Sequence, residues 1–333
     1  MISRLILHIG ANKTGSSAIQ TFLSLNRAAL QAQGIMVPNG QFQLGGNQGN
    51  QVFAFQELMS EPEAGRKRLE SSVEALKTEA PAAEAILFSA ENLTANPVAP
   101  SLFEGLTKNY DTQVIVFIRR QDEYLLSSWQ QWYSKVSDDF WAWLISVVGQ
   151  MGNWRSYLQN WEAVVPREKI NVRIYDRSKL EDGDVIADFY KQLELGTPMK
   201  QLIYPNRIIN PSYSDAIMEI VKGNRSVFKD IHDNEFYRFV RKVTGEKYIR
   251  NSRESYITFD QRHAILQQYS AANRWVRDHY FPGASGDLFS APKESDYDYL
   301  SASAIEERKL EALTSMLIEL YQRKGKSHGH EGL

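Results

Sequence analysis

Three observations predict an α/β fold, a central parallel sheet flanked by helices with a mainly helical C-terminal region. Short strand-like apolar runs, the first rich in β-branched residues, recur at 5–10, 85–89, 114–118 and 170–175. Segments of helical periodicity separate them, the alternation expected of a parallel sheet covered on both faces. Beyond position 176 the pattern is almost wholly helical.

The first run, Leu5-Ile6-Leu7-His8-Ile9-Gly10, enters Ala11-Asn12-Lys13-Thr14-Gly15-Ser16-Ser17 and then helical spacing over 16–33. This is strand, loop and helix, in which successive backbone N–H groups and the helix N-terminus can surround an anion. Gly15 permits a close backbone approach that a side chain would block. The loop is not a Walker A motif, because Lys13 precedes Gly15 and no Gly-Lys-Ser/Thr follows. On this motif alone an ordinary turn with a capping serine stays open. His8 lies inside the strand and is read as a hydrogen-bonded core imidazole.

Gly34 stops the helix before a short apolar stretch at 35–38. Residues 41–51 are glycine, asparagine and glutamine with almost no charge, a loop near the site. An exposed helix over 66–77 leads to the buried strand 85–89, which delivers Glu91 to the same sheet edge as the first loop. Glu91 is thereby a candidate general base; a helix-capping turn at Glu91-Asn92-Leu93-Thr94 is the alternative.

The next strand ends in Arg119, at the carboxyl end where open α/β sheets bind ligands. Ser127 follows eight positions later, two turns into a helix. Arg120 with Ser128 is a competing register of equal spacing, and either arginine could instead pair with Asp122 or Glu123. Helical patterns over 127–135, 140–149 and 154–164 carry Trp129, Trp132, Tyr133, Trp141, Trp143 and Trp154, read as core or pocket wall. After the strand at 170–175 come helices over 185–195, 212–222, 259–279 and 305–322.

No repeat or linker interrupts the 333 residues, so one domain over 1–325 is expected, with a core at 1–180, a helical region at 181–325 and a disordered tail at 326–333. A net charge of -2 supplies no global field for nucleic acid. The absence of cysteine excludes disulfides, thiolate catalysis and Cys-ligated zinc. His328 and His330 have no carboxylate or thiolate at ligand spacing, and no acidic cluster suits magnesium, so no metal is expected. The longest later apolar run, 140–148, is far below the roughly 18 residues of a membrane span, and the first strand is too short for a signal peptide. A cytoplasmic protein without an integral membrane segment is the expectation; its oligomeric state is not legible.

With its His-Ile-Gly-x-x-Lys-Thr-Gly opening and its strand-ending arginine followed by serine, the chain resembles the PAPS-dependent sulfotransferases, particularly bacterial members. The resemblance extends through Glu91, the strand end Arg173-Ile174-Tyr175-Asp176, Asn210-Pro211-Ser212 and the segment 273–289. It implies a P-loop-like sheet on which Lys13, Thr14, Gly15, Ser16 and Ser17 hold the 5′-phosphosulfate of PAPS, with hydroxyl donors from Ser16 and Ser17. Arg119 and Ser127 would clamp its 3′-phosphate. Lys13 would stabilise the departing adenosine 3′,5′-bisphosphate, and Glu91 would take the proton of a carbohydrate or small polar acceptor. Related loops often carry histidine where this chain reads Asn47-Gln48-Gly49-Asn50-Gln51, so no histidine base is carried over there. Two other classes share the anion loop. A P-loop phosphotransferase or nucleotide hydrolase would need magnesium and a Gly-Lys-Ser/Thr sequence, whereas a non-catalytic nucleotide-binding module would tolerate loss of Glu91.

Overall fold

The strands form where the apolar runs lie: β1 (Arg4–Gly10), β2 (Ile35–Met36), β3 (Ala85–Ser89), β4 (Asp111–Ile118) and β5 (Ile170–Ile174). They make one sheet in the order β2-β3-β1-β4-β5, and every neighbouring pair is parallel. This computed structural model describes residues 2–45, 50–137, 139–205, 214–248, 254–255 and 257–328. Asn210-Pro211-Ser212, positions 46–49 of the polar loop and His330 lie outside them.

The chain divides into two compact units. The first comprises Met1–Arg120, Gly152–Ile209 and Tyr269–Phe289, and the second Gln121–Met151, Asn210–Gln268 and Ser290–Leu333. The boundary expected near 180 is therefore not where the units part. The first unit takes back the late helices Val185–Gln192 and Ser270–Tyr280, and the second begins at Gln121, directly after the arginine pair.

In the first unit, strand alternation sends Ile6, Leu87, Ile115 and Phe117 into a core closed by Ile19, Phe22 and Leu23 of helix Ser16–Leu25 and by Ile186 and Phe189 of helix Val185–Gln192. Phe88 meets Phe42 and Phe55 edge to face, at centroid separations of 5.4 and 5.7 Å, and Phe55, Phe103 and Trp161 continue the aromatic run. The helical pattern over 16–33 is interrupted. Asn26 ends the first helix, because its amide donates to Phe22 O and Ile203 O while its Oδ1 accepts Ile203 N at 2.7 Å. Gly34, at φ 83, ends the next turn as expected.

The second unit contains the helices Gln121–Gln131, Phe140–Val147, Asp215–Gly223, Glu235–Thr244, Phe259–Gln268 and Ala302–His328. A two-residue parallel pair joins Glu254–Ser255 to Asp298–Tyr299. Trp129, Phe140 and Trp143 pack together here, in edge-on and tilted contacts. The last helix runs to His328, past position 326 where a disordered tail is expected. The pattern read as one helix over 259–279 breaks at Tyr269.

Candidate active site at the strand ends

β1 terminates in Gly10, whose φ of 100 belongs to the left-handed region that glycine adopts without cost. A Cβ there would stand 2.7 Å from the Cα of Glu91, so this glycine is what lets the loop and the end of β3 approach each other. The loop then folds on the carbonyl of Ala11. Thr14 Oγ1 donates to it at 2.5 Å and Ser16 Oγ at 2.6 Å, while Ala11 N donates to Phe117 O at 3.0 Å. Both hydroxyl-bearing residues are buried. The Ser16 hydroxyl, expected to face an anion, is thus turned inward to shape the loop, because the sharp turn concentrates donors on one carbonyl. What Ser16 and Ser17 supply to the site is their place in the first turn of helix Ser16–Leu25, where N–H groups have no intrahelical acceptor.

Gly15 has φ 86, and a Cβ on it would meet Val185 at 2.8 Å and the Tyr175 ring at 3.1 Å. Lys13 itself adopts φ 61, rare for a residue with a side chain. Its carbonyl accepts a hydrogen bond from Arg119 Nη1 at 3.0 Å, which brings the two sequence motifs into contact. The Arg119 guanidinium also lies 5.5 Å from the centroid of the Tyr175 ring, and its own carbonyl accepts Trp154 Nε1 at 2.9 Å. Trp154 is fully buried, and its indole anchors the Arg119 backbone. Ser127 is buried on helix Gln121–Gln131 of the second unit. The hydroxyl of Ser128 donates back to Tyr124 O at 2.8 Å.

Glu91 opens the single-turn helix Glu91–Leu93 just beyond β3. Gln20 Nε2, from the helix that follows the loop, donates to Glu91 Oε2. Thr94 Oγ1 donates to Ile9 O, and Ala90 N to His8 O at 3.0 Å, so the segment carrying the carboxylate is tied to β1 along its length. Gln20 was missed by sequence reasoning. Its one signal is a buried polar side chain one turn past the loop, next to Ile19 in the apolar core.

His8 is core. It is fully buried, its Nδ1 lies 2.7 Å from Ser89 Oγ, and Phe117 and Phe189 meet it edge-on. Burial lowers its pKa from 6.5 to about 3, so the imidazole stays neutral at physiological pH. Ser89 also anchors the described end of the polar loop. Gln51 Oε1 accepts Ser89 N at 2.7 Å, and Gln51 N donates to Ser89 O at 3.2 Å. Behind the site, Arg173 of β5 meets Asp188 through two 2.7 Å hydrogen bonds, and that carboxylate holds its guanidinium pKa above the ordinary value.

In the second unit Arg262, which sequence reasoning did not single out, donates to Asp122 and Glu123 at 2.6 Å each and to Ser255 Oγ at 2.7 Å. Its guanidinium lies 3.7 Å from the centroid of the Tyr297 ring. Asp122 and Glu123 thus accept from a residue 140 and 139 positions further along the chain, respectively.

Among the described residues no group of three or more His, Asp or Glu side chains could hold a metal ion. No described helix is long and apolar enough to cross a membrane.

Residues 4–274 match the family model described as the sulfotransferase domain. An uncharacterized protein of Archaeoglobus fulgidus is 25% identical over 223 residues, covering 64% of this chain. The chain spans 59% of that relative's length. A sulfotransferase of known structure from Alicyclobacillus acidocaldarius aligns at 15% identity with a TM-score of 0.27, covering 51% of this chain and 72% of that one. That similarity is too low to bear on the fold or the site.

Proposed function

The chain belongs to the sulfotransferase family, and on that premise we propose that it moves the sulfuryl group of PAPS to a hydroxyl or amine of a carbohydrate or small polar acceptor. The observation that carries this reading is the convergence at neighbouring strand ends of the Lys13 loop after β1, Arg119 after β4 and Glu91 after β3. A cation, a helix N-terminus and a carboxylate lie at neighbouring strand ends, which supports the reading. That is the set in-line sulfuryl transfer requires.

In this mechanism the acceptor oxygen or nitrogen bonds to sulfur as the bond between sulfur and the bridging oxygen breaks. The acceptor proton passes to Glu91, whose Oε2 accepts a hydrogen bond from Gln20 Nε2 that orients the carboxylate. Negative charge growing on the bridging oxygen is met by the Lys13 ammonium and the first-turn N–H groups of helix Ser16–Leu25. Arg119 is assigned to the 3′-phosphate from its place at the end of β4. The role of Ser127 rests on the sequence motif alone. Rate enhancement comes chiefly from positioning and charge stabilisation, as in phosphoryl transfer.

The test is calorimetric affinity and thermal shift with adenosine 3′,5′-bisphosphate against ATP and adenosine 5′-monophosphate, without metal. Preference for the 3′,5′-bisphosphate is expected, followed by transfer from PAPS in an acceptor screen. Preference for ATP that appears only with magnesium would replace this reading with phosphoryl transfer. Bisphosphate binding without transfer to any acceptor would leave a nucleotide-binding module.

A further inference from the structure

Gln20 stands where the helix pattern would allow a core residue. It follows Ile19 and precedes Phe22 and Leu23, all fully buried in the first unit, and is itself 6% exposed. Its amide is nonetheless engaged outside that core. Helix side chains lean towards the helix N-terminus, here the Lys13 loop, and Gln20 lies one turn past Ser16 on the same face. Its Nε2 reaches the carboxylate of Glu91, 71 positions away, and donates to Oε2.

This bond fixes the polarity of the amide. An ionised carboxylate only accepts, so Gln20 turns its NH2 to Glu91 and its Oε1 elsewhere. Neither Gln20 Oε1 nor Glu91 Oε1 has a hydrogen-bond partner among the described residues, and neither is sealed from solvent. The pair therefore offers two oxygens that accept hydrogen bonds: one placed to take the substrate's proton, and one beside it. Because a single hydrogen bond separates the two groups, donors that meet both oxygens must be neighbours on the substrate.

We propose that Gln20 selects the sulfuryl acceptor: its Oε1 receives a hydrogen bond from an O–H or N–H on the carbon next to the one that bears the reacting group, so the substrate is a vicinal diol or amino alcohol. This rests on the proposed sulfuryl transfer with Glu91 as base. The reacting hydroxyl passes its proton to Glu91 as its oxygen bonds to sulfur and the bridging oxygen leaves, while the neighbouring donor keeps its proton throughout. A substrate without that donor displaces water from Gln20 Oε1 and leaves it unpaired. The penalty falls on the wrong substrate and not on cofactor binding.

Transfer from radiolabelled PAPS to trans-1,2-cyclohexanediol, trans-2-methoxycyclohexanol and cyclohexanol tests this. Beside the reacting hydroxyl these carry a donor, an ether oxygen that only accepts, and nothing. In the parent, kcat/KM for the diol should exceed the other two by roughly ten- to a hundredfold. Gln20→Met should lower kcat and erase that preference, with affinity for adenosine 3′,5′-bisphosphate retained. A residue that only fills space would slow all three alike. Equal rates in the parent, or a preference that survives in Gln20→Met, overturn the proposal and leave sulfuryl transfer standing. If the three are refused while a screened acceptor is sulfated, a product with a donor beside the sulfated atom supports the proposal and one without it overturns it. Bisphosphate binding without transfer to any compound overturns the proposed function, and this inference with it.

Discussion

The loop after β1 and the cluster around Arg262 handle polar groups in opposite ways. At the loop, neutral donors converge on backbone carbonyls, two glycines admit close neighbours, and the charged side chains of Lys13, Arg119 and Glu91 remain partly exposed. Around Arg262 the charges themselves are withdrawn from water: the guanidinium and Asp122 are both fully buried. Burial by itself lowers the Arg262 pKa, but Glu123 and Asp122 outweigh it and leave it above the ordinary value. Charges at the rim of a neutral scaffold can exchange one partner for an incoming anion. Charges in a dry cluster cannot, because an unpaired buried ion costs several kcal/mol. The proposed function accordingly draws on the first region, while the second fixes a helix start.

The largest effect should come from the rim. Lys13→Ala is expected to lower turnover from PAPS by about 10²–10³-fold, the range for losing one preorganised charge stabiliser, with the melting temperature unchanged. Turnover like the parent's would mean that the loop's charge is not used. Arg262→Met should act the other way, lowering stability by about 3–5 kcal/mol in chemical denaturation. Restoring much of that loss by adding Asp122→Asn and Glu123→Gln would sharpen the contrast, while a loss below 1 kcal/mol would erase it.

Acidification probes the neutral scaffold. The folded His8 takes a proton only near pH 3, the unfolded chain near 6.5. Between those values the unfolded state binds more protons, so His8 makes stability fall as pH drops below 6.5 and contributes no slope above it. His8→Phe should flatten this part of the profile; an unchanged slope would assign the acid sensitivity elsewhere. Smallest is Asn26→Ala, expected to cost about 1–2 kcal/mol through the lost bonds to Ile203.

The strands and the anion loop were legible because each is written locally. Short apolar runs place β3 and β5 nearly to the residue and the end of β4 before Arg119, and Gly15 beside Lys13 marks the turn. What sequence could not disclose depends on partners far along the chain. The helix break at Asn26 is enforced from Ile203, 177 positions away, and Arg262 finds Asp122 across 140. The inward turn of Ser16 Oγ escaped for another reason: a serine after a glycine loop looks the same whether its hydroxyl faces a ligand or a carbonyl. Trp154 was noticed only as one aromatic among six, since nothing in its neighbours announces a hydrogen bond to Arg119 O.

The crowding at Gly10 has a genetic corollary. The atom a Cβ at position 10 would strike first is the Cα of Glu91, at 2.7 Å, with its Cβ at 2.8 Å. Trimming residue 91 even to glycine leaves that α-carbon in place. Suppressors of Gly10→Ala should therefore not arise by trimming the side chain at codon 91, and should be changes that shift the backbone after β3.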